Sequence, residues 1–277
     1  MPLAAVGQFC ATASIVANKN ICMDLISKAA QQGASMIFLP EASDFISRNA
    51  QEAKELTTSL NSSEFLGGVQ KEAAASGIWV SVGVHETTST DKIYNTHLVI
   101  DNLGTITSAY RKVHLFDVDI AGGPRLMESD TTEKGDSVGT PDKTPLGRLG
   151  LQTCYDMRFA ESSIALRAKG AELLAYPSAF TIKTGMAHWE VLLRSRAIET
   201  QTYVIAAAQI GQHNEKRASY GNAMIVDPWG TVLARCPDSS NKPSLAMADI
   251  DLEYLHRIRT EMPVMSHRRT DLYPKIK

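Results

Sequence analysis

The sequence is poor in cysteine, and the cysteines it has form no pattern. Cys10, Cys22, Cys154 and Cys236 are the only four in 277 residues, with no CxxC pair and no regular spacing. That argues against a disulfide framework, a zinc site or a dithiol motif, and it fits a reducing, cytoplasmic compartment. The seven histidines are scattered, with no HExxH and no short His-x-His, so no metal is expected. Charge is nearly balanced at a formal net of -2, which leaves no basic footprint for nucleic acid or anionic lipid. No apolar run approaches the roughly 20 residues that a membrane-spanning helix needs. The start, Met1-Pro2-Leu3-Ala4, lacks a basic segment followed by an apolar one, so no secretory signal is expected. An Arg-rich transit segment is also missing, so a cytoplasmic location is expected, with a mitochondrial form from an upstream start as the alternative.

What is present is an alternation of strand and helix signals, with 44% hydrophobic residues to supply a core. One large α/β domain over residues 1–277 is expected. In the first half, strands are predicted at 3–9, 36–39, 79–84, 95–100 and 105–110, and helices at 20–32 and 63–76. Residues 115–144 are irregular, a length of loop that is usually functional or disordered. The second half repeats the order, with strands at 149–153, 173–176, 204–208, 223–226, 231–235 and 245–250, and helices at 161–169, 186–200 and 252–260. Two segment pairs look alike. Gly33-Ala34 through Leu39-Pro40-Glu41-Ala42 parallels Gly170-Ala171 through Tyr176-Pro177-Ser178-Ala179, and Asp101-Asn102-Leu103-Gly104-Thr105 parallels Asp227-Pro228-Trp229-Gly230-Thr231. Either these are common α/β punctuation or the chain is built from two similar halves about a pseudo-twofold. In the second case residues at strand ends converge near one axis.

Cys154 ends the apolar run Leu149–Thr153, and strand ends in α/β folds open onto ligand crevices. It reads as a nucleophile or as a small buried hydrophobe. Glu41 ends the strand before it as a base, or as an ordinary carboxylate at a strand end. Lys112 is a stabiliser of negative charge or a surface lysine. Glu128, inside the long loop, says nothing alone. A free thiol near pKa 8.5 and a carboxylate near 4.3 differ by about four units, roughly 5–6 kcal/mol against proton transfer. Burial of Glu41, which would raise its pKa, and the Lys112 cation are both expected to narrow that gap. The helix at 186–200 carries Trp189, Leu192, Leu193 and Ile198 on a broad apolar face, as in a core or subunit-interface helix.

Phe38-Leu39-Pro40-Glu41, Tyr110-Arg111-Lys112-Val113-His114-Leu115 and Cys154-Tyr155-Asp156-Met157-Arg158-Phe159, in that order, resemble the nitrilase superfamily of carbon–nitrogen hydrolases. The likeness runs from about Leu3 to Tyr273. The segments Phe116–Ile120, Tyr176–Phe180, Ala187–Glu190 and Glu215–Gly221 resemble its Nit branch. The resemblance implies a four-layer αββα sandwich of two mixed sheets. It implies Glu41 as general base, Lys112 as stabiliser of the intermediate, Cys154 as nucleophile and Glu128 as a second glutamate positioning substrate and Lys112. The backbone N–H of Tyr155 would help to hold the oxyanion, and no cofactor would be needed. The implied partner is a small 2-oxo acid amide: deaminated glutathione, repaired to 2-oxoglutarate and cysteinylglycine, or 2-oxoglutaramate as the alternative. A non-catalytic interaction protein on the same scaffold is the rival of another class. A homodimer or larger assembly is implied by resemblance alone.

An anionic substrate needs a cation besides Lys112. Arg158 is the best candidate, unless it forms a structural salt bridge to an acid such as Glu199. Ser178, Phe180 and Thr184, with Phe45 shortly after Glu41, are expected to line the pocket. Lys216 and Arg217 are candidates for a distal carboxylate.

Overall fold

The computed structural model describes residues 1–119 and 125–272. Ile120, which ends one Nit-like segment, and Tyr273, where the resemblance ends, lie outside the described residues. Six α-helices are present among them: α1 (Ile15–Gln31), α2 (Ala50–Leu56), α3 (Glu64–Ser76), α4 (Ala160–Ala168), α5 (Ile182–Thr200) and α6 (Leu252–Glu261).

The two halves have the same strand order and the same directions. In the first, Leu3–Phe9, Met36–Phe38 and Trp79–Thr87 are parallel neighbours, and Ile93–Ile100 and Ile106–Arg111 follow antiparallel. In the second, Gly147–Leu151, Leu173–Ala175 and Tyr203–Ala206 are parallel, and Met224–Val226 and Val232–Arg235 follow antiparallel. The hairpin turns match bond for bond. Asp101 N–H donates to Thr105 O, Gly104 N–H to Asp101 O, and Asp101 Oδ1 accepts from the N–H groups of Leu103 and Thr105. Asp227 makes the equivalent four bonds with Thr231, Gly230 and Trp229. Common punctuation accounts for a shared turn, but not for a shared sheet order as well.

Period-two burial sets the layers. Ala5, Ile37 and Val80 on one face of the first sheet pack with Leu25 and Ile26 of α1 and Leu66 and Val69 of α3. Ala4, Val6, Met36 and Phe38 on the other face share a core with Leu149, Leu173 and Ile205 of the second sheet. That core continues to Leu166 of α4 and to Trp189 and Leu193 of α5. The stack is therefore helix, sheet, sheet, helix. Each large apolar side chain so buried contributes about 1.5–3 kcal/mol.

Several elements differ from expectation. Helix α1 starts at Ile15 rather than Asn20, because Ser14 caps it by accepting from Ala17 N–H at 3.3 Å. The short α2 has no counterpart among the predicted helices. The single strand expected at 204–208 is two. Tyr203–Ala206 lies in the second sheet and Ala208–Gln212 in the first, so the chain changes sheets at Ala207. Among the described residues of the 115–144 segment are an antiparallel strand pair, Asp117–Asp119 with Arg125–Met127, and two further short strands, Thr132–Glu133 and Asp142–Thr144.

Candidate active site

Three strand ends meet between the halves. Glu41 follows Met36–Phe38, and Ala42 after it turns the chain at φ 54°. That turn lies so close to Gly83 that a Cβ there would sit 2.6 Å from Glu41 Cα, so only glycine fits. Gln209, fully buried, donates from Nε2 to Glu41 O at 3.0 Å and tethers the turn to the strand that changes sheets. Lys112 follows Ile106–Arg111, its N–H held by Asn95 O at 2.9 Å. Cys154 follows Gly147–Leu151 and has φ 46°, an unusual conformation for a non-glycine residue that lifts the thiol out of the strand line. Its N–H donates to Pro177 O at 3.0 Å.

Asp156 stitches two of these segments together. Fully buried, it accepts from Thr153 N–H at 2.8 Å and Tyr110 Oη at 2.8 Å. It also accepts from His114 N–H at 3.0 Å, and its Oδ1 lies 2.7 Å from His114 Nδ1. Tyr110 and His114 flank Lys112 by two residues on either side, and Thr153 precedes Cys154.

The side chains form one buried polar cluster. Lys112 Nζ lies 3.1 Å from Glu41 Oε1, and 3.0 and 2.8 Å from the two carboxylate oxygens of Glu128. Asn95 Nδ2 donates to Glu41 Oε1 at 2.7 Å and to Glu128 Oε1 at 3.3 Å. Glu128 Oε2 also accepts from Phe116 N–H at 2.7 Å. Glu41 and Lys112 are 4% and 3% exposed, and Cys154 is 9% exposed.

The electrostatics reverse one expectation. Burial pushes the Glu41 pKa up, but the Lys112 ammonium, the Cys154 thiol, Asn95 and the charge of Arg217 together hold it below the ordinary carboxylate value. For Cys154, burial and then the Glu41 charge push the thiol pKa up, against the pull of Lys112 and the Ala179 N–H. Lys112 stays charged: burial opposes the charge, but Glu128 and Glu41 raise its pKa well above the ordinary value. At rest the gap between carboxylate and thiol is thus wider than for the free groups, because burial and the Glu41 charge raise the thiol while Lys112 holds the carboxylate down. The resting pair is thiol and carboxylate.

The remaining candidates are placed as follows. Tyr155 is the second residue of a short 3-10 helix, Cys154–Arg158, where N–H groups lack acceptors within the helix. Arg158 lies over the rings of Tyr155 and Phe180, 5.6 and 5.5 Å from their centroids, with its Nη atoms 3.3 Å from His188 Nδ1. It forms no salt bridge with Glu199; buried Arg196 does that. Phe180 packs edge-on against Trp189. Thr184 is half-buried and hydrogen-bonded to Thr181 at 2.8 Å. Ser178 is fully buried, and its hydroxyl donates to Tyr176 O at 3.0 Å. Phe45 is 1% exposed, with one ring face covered by His85 at 4.2 Å. Asn95, Asp156, Gln209 and Ala179 carry no predicted role. Asp156 and Ala179 lie inside the quoted motifs, and Asn95 opens a predicted strand, but Gln209 leaves no signal.

Among the described residues, no group of three or more His, Cys, Asp and Glu is arranged to hold a metal ion, and no helix is long and apolar enough to cross a membrane.

The chain belongs to the carbon–nitrogen hydrolase family, whose profile matches residues 3–260, and it is a hydrolytic, amide-cleaving enzyme. It is 52% identical to the probable hydrolase nit2 of Schizosaccharomyces pombe, over 100% of both chains. It is 50% identical to the deaminated glutathione amidase of Homo sapiens, over 99% of this chain and 84% of that one. Among solved structures, the Caenorhabditis elegans NitFhit protein matches with a TM-score of 0.93 at 44% identity, covering 99% of this chain and 66% of that one. Saccharomyces cerevisiae Nit3, of the nitrilase superfamily, matches with a TM-score of 0.85 at 27% identity, over 97% and 96%.

Proposed function

We propose that this chain hydrolyses deaminated glutathione to 2-oxoglutarate and cysteinylglycine through a thioester on Cys154, acting as one catalytic unit built from both halves. Because thiol and carboxylate are the resting forms, the Cys154 proton passes to Glu41 as sulfur bonds to the carbonyl carbon, and no free thiolate accumulates. Lys112 and the Tyr155 N–H stabilise the oxyanion that forms. On collapse the C–N bond breaks and Glu41 returns its proton to the departing amine. Glu41 then takes a proton from water as the water attacks the thioester, which releases 2-oxoglutarate and restores the thiol. Glu128 keeps Lys112 charged and aimed. Arg158, without a carboxylate partner among the described residues, receives the 2-oxo acid carboxylate beside Phe180 and Tyr155. Four free cysteines, three of them buried, fit a cytoplasmic enzyme.

The observation that carries the choice of substrate is identity near one half, over nearly the whole chain, to relatives named deaminated glutathione amidase. Turnover of deaminated glutathione, 2-oxoglutaramate and a simple nitrile should be measured side by side. The first should have the highest kcat/KM, and a preference for 2-oxoglutaramate would overturn the assignment.

We also propose a homodimer through the outer face of α5. Its inner face, Trp189, Leu193 and Ala197, is spent on the core, but Val191 and Ile198 are exposed, and so are Trp229 and Leu233 on the adjoining hairpin. Ile198 and Arg194 pack against Gly230, so the helix and hairpin make one surface. Light scattering should give twice the chain mass for the wild type and a shift to monomer for Val191→Glu. A monomeric wild type at micromolar concentration would sink this arrangement.

A further inference from the structure

Two strands, Ala208–Gln212 and Ala218–Tyr220, form a hairpin that bridges the two sides of the site. On one side, Asn214 Nδ2 donates to Ser47 O at 3.1 Å and Gln209 Nε2 donates to Glu41 O, so the hairpin is tied to the segment carrying the base. On the other, Tyr220 N–H donates to Phe180 O at 2.9 Å, next to the Ala179 N–H that faces the Cys154 thiol. The tip itself is fixed. Asn214 Oδ1 accepts from the N–H groups of Lys216 and Arg217 at 3.0 and 3.1 Å, and Arg217 O accepts from His213 N–H at 2.9 Å.

The two cations at this tip face different surroundings. Lys216 lines an outer cleft of about 700 Å³ with Thr12, Ser14, Arg48, Asn49 and His213, away from the catalytic cluster. Arg217 does not line that cleft. Its charge acts inward, on Glu41 and on buried His213, whose pKa is lowered to about 4 by burial first and by Arg217 last. His213 is therefore neutral near pH 7 and supplies no competing cation. Arg217 makes no salt bridge among the described residues, whereas Arg48, Arg111, Arg194, Arg196 and Arg235 all do.

We propose that Arg217 is the specificity-determining residue on the leaving-group side of the site, its guanidinium receiving the free carboxylate at the far end of a peptidyl amine. The proposal rests on the peptide-amide reading above. A dipeptide leaving group carries its carboxylate about 7 Å beyond the scissile nitrogen when extended. An exposed arginine at the tip of a hairpin tied to the Glu41 turn offers that carboxylate a planar pair of donors. Ammonia, the leaving group of a primary amide, has nothing for it to hold.

The test compares 2-oxoglutaryl-cysteinylglycine with its C-terminal carboxamide, on wild type, Arg217→Ala, Arg217→Lys and Lys216→Ala. Wild type should prefer the free acid by roughly 10- to 100-fold in kcat/KM, the range for one hydrogen-bonded charge contact. Arg217→Ala should erase that preference, mainly through KM. Arg217→Lys should restore part of it, and Lys216→Ala should keep it. No acid preference in wild type, an Arg217→Ala loss equal on acid and carboxamide, or a preference that vanishes with Lys216 instead, would each overturn the assignment. A wild type faster on 2-oxoglutaramate than on either peptide would remove the proposed substrate, while the acid-to-carboxamide ratio would still decide Arg217.

Discussion

Glu41→Gln should lower turnover by about 10³- to 10⁴-fold while moving the Cys154 titration to lower pH. The two effects point in opposite directions for a physical reason. Glutamine keeps the shape and the acceptor for Asn95 but has no useful basicity, so the thiol proton has nowhere to go as sulfur attacks. Yet the Glu41 charge is one of the causes that lift the thiol pKa, and removing it leaves Lys112 and the Ala179 N–H to favour thiolate. The variant should hold more thiolate at alkaline pH, read by ultraviolet absorbance, and be a far worse enzyme. The same reasoning fixes the acid limb of wild-type kcat/KM. Glu41 is held below the ordinary carboxylate value, so activity should persist as pH falls through that value and drop only below it. Turnover within about tenfold of wild type in Glu41→Gln would remove the base from its role, and a thiol titration that rose would remove the charge argument.

Much of this was legible in the sequence because it is local. The twin turns at Asp101 and Asp227 carry their hydrogen bonds within five residues, and Leu39-Pro40 and Tyr176-Pro177 mark equivalent strand ends. Strand–helix alternation needed only periodicity. What escaped is of two kinds. Short elements such as Asp117–Asp119 and Thr132–Glu133 hold too few residues to show a period. Helix α2 did leave a signal, Asn49 three before Glu52, whose N–H bonds to Asn49 Oδ1 at 2.9 Å. The second kind is non-local. Asp156 joins Tyr110 and His114 to Thr153, and Gln209 reaches Glu41 across 168 positions, so only the closed fold creates either contact. The sign of the Glu41 shift belongs here too. Burial was readable from Phe38-Leu39-Pro40, but the 3.1 Å approach of Lys112, which overrides it, was not.

Lys112→Met should cost both stability and turnover, and the stability loss should depend on pH with a reversed sign. Lys112 lies between Glu41 and Glu128, all three largely withdrawn from water. Removing one partner from a buried ionic cluster costs about 3–5 kcal/mol, because the charge left behind keeps its desolvation penalty. In wild type the folded-state pKa of Glu41 is depressed, so its contribution is present above the unfolded value and lost as pH falls through the folded one. Without the cation, Glu41 keeps its burial and faces the Glu128 charge unshielded, which turns its shift upward, above the unfolded value. Its contribution then favours folding at low pH and is lost as pH rises. Urea unfolding at about pH 5 and pH 8 should therefore show the variant gaining on wild type at the acid end. Lys112→Met with Glu128→Gln removes one carboxylate and should recover much of the stability at the higher pH. It should recover none of the turnover, since the oxyanion still lacks its cation, a loss worth about 10²- to 10³-fold. A double variant that regained activity along with stability would make Lys112 a structural counter-ion, and the charge that stabilises the intermediate would have to come from elsewhere in the site.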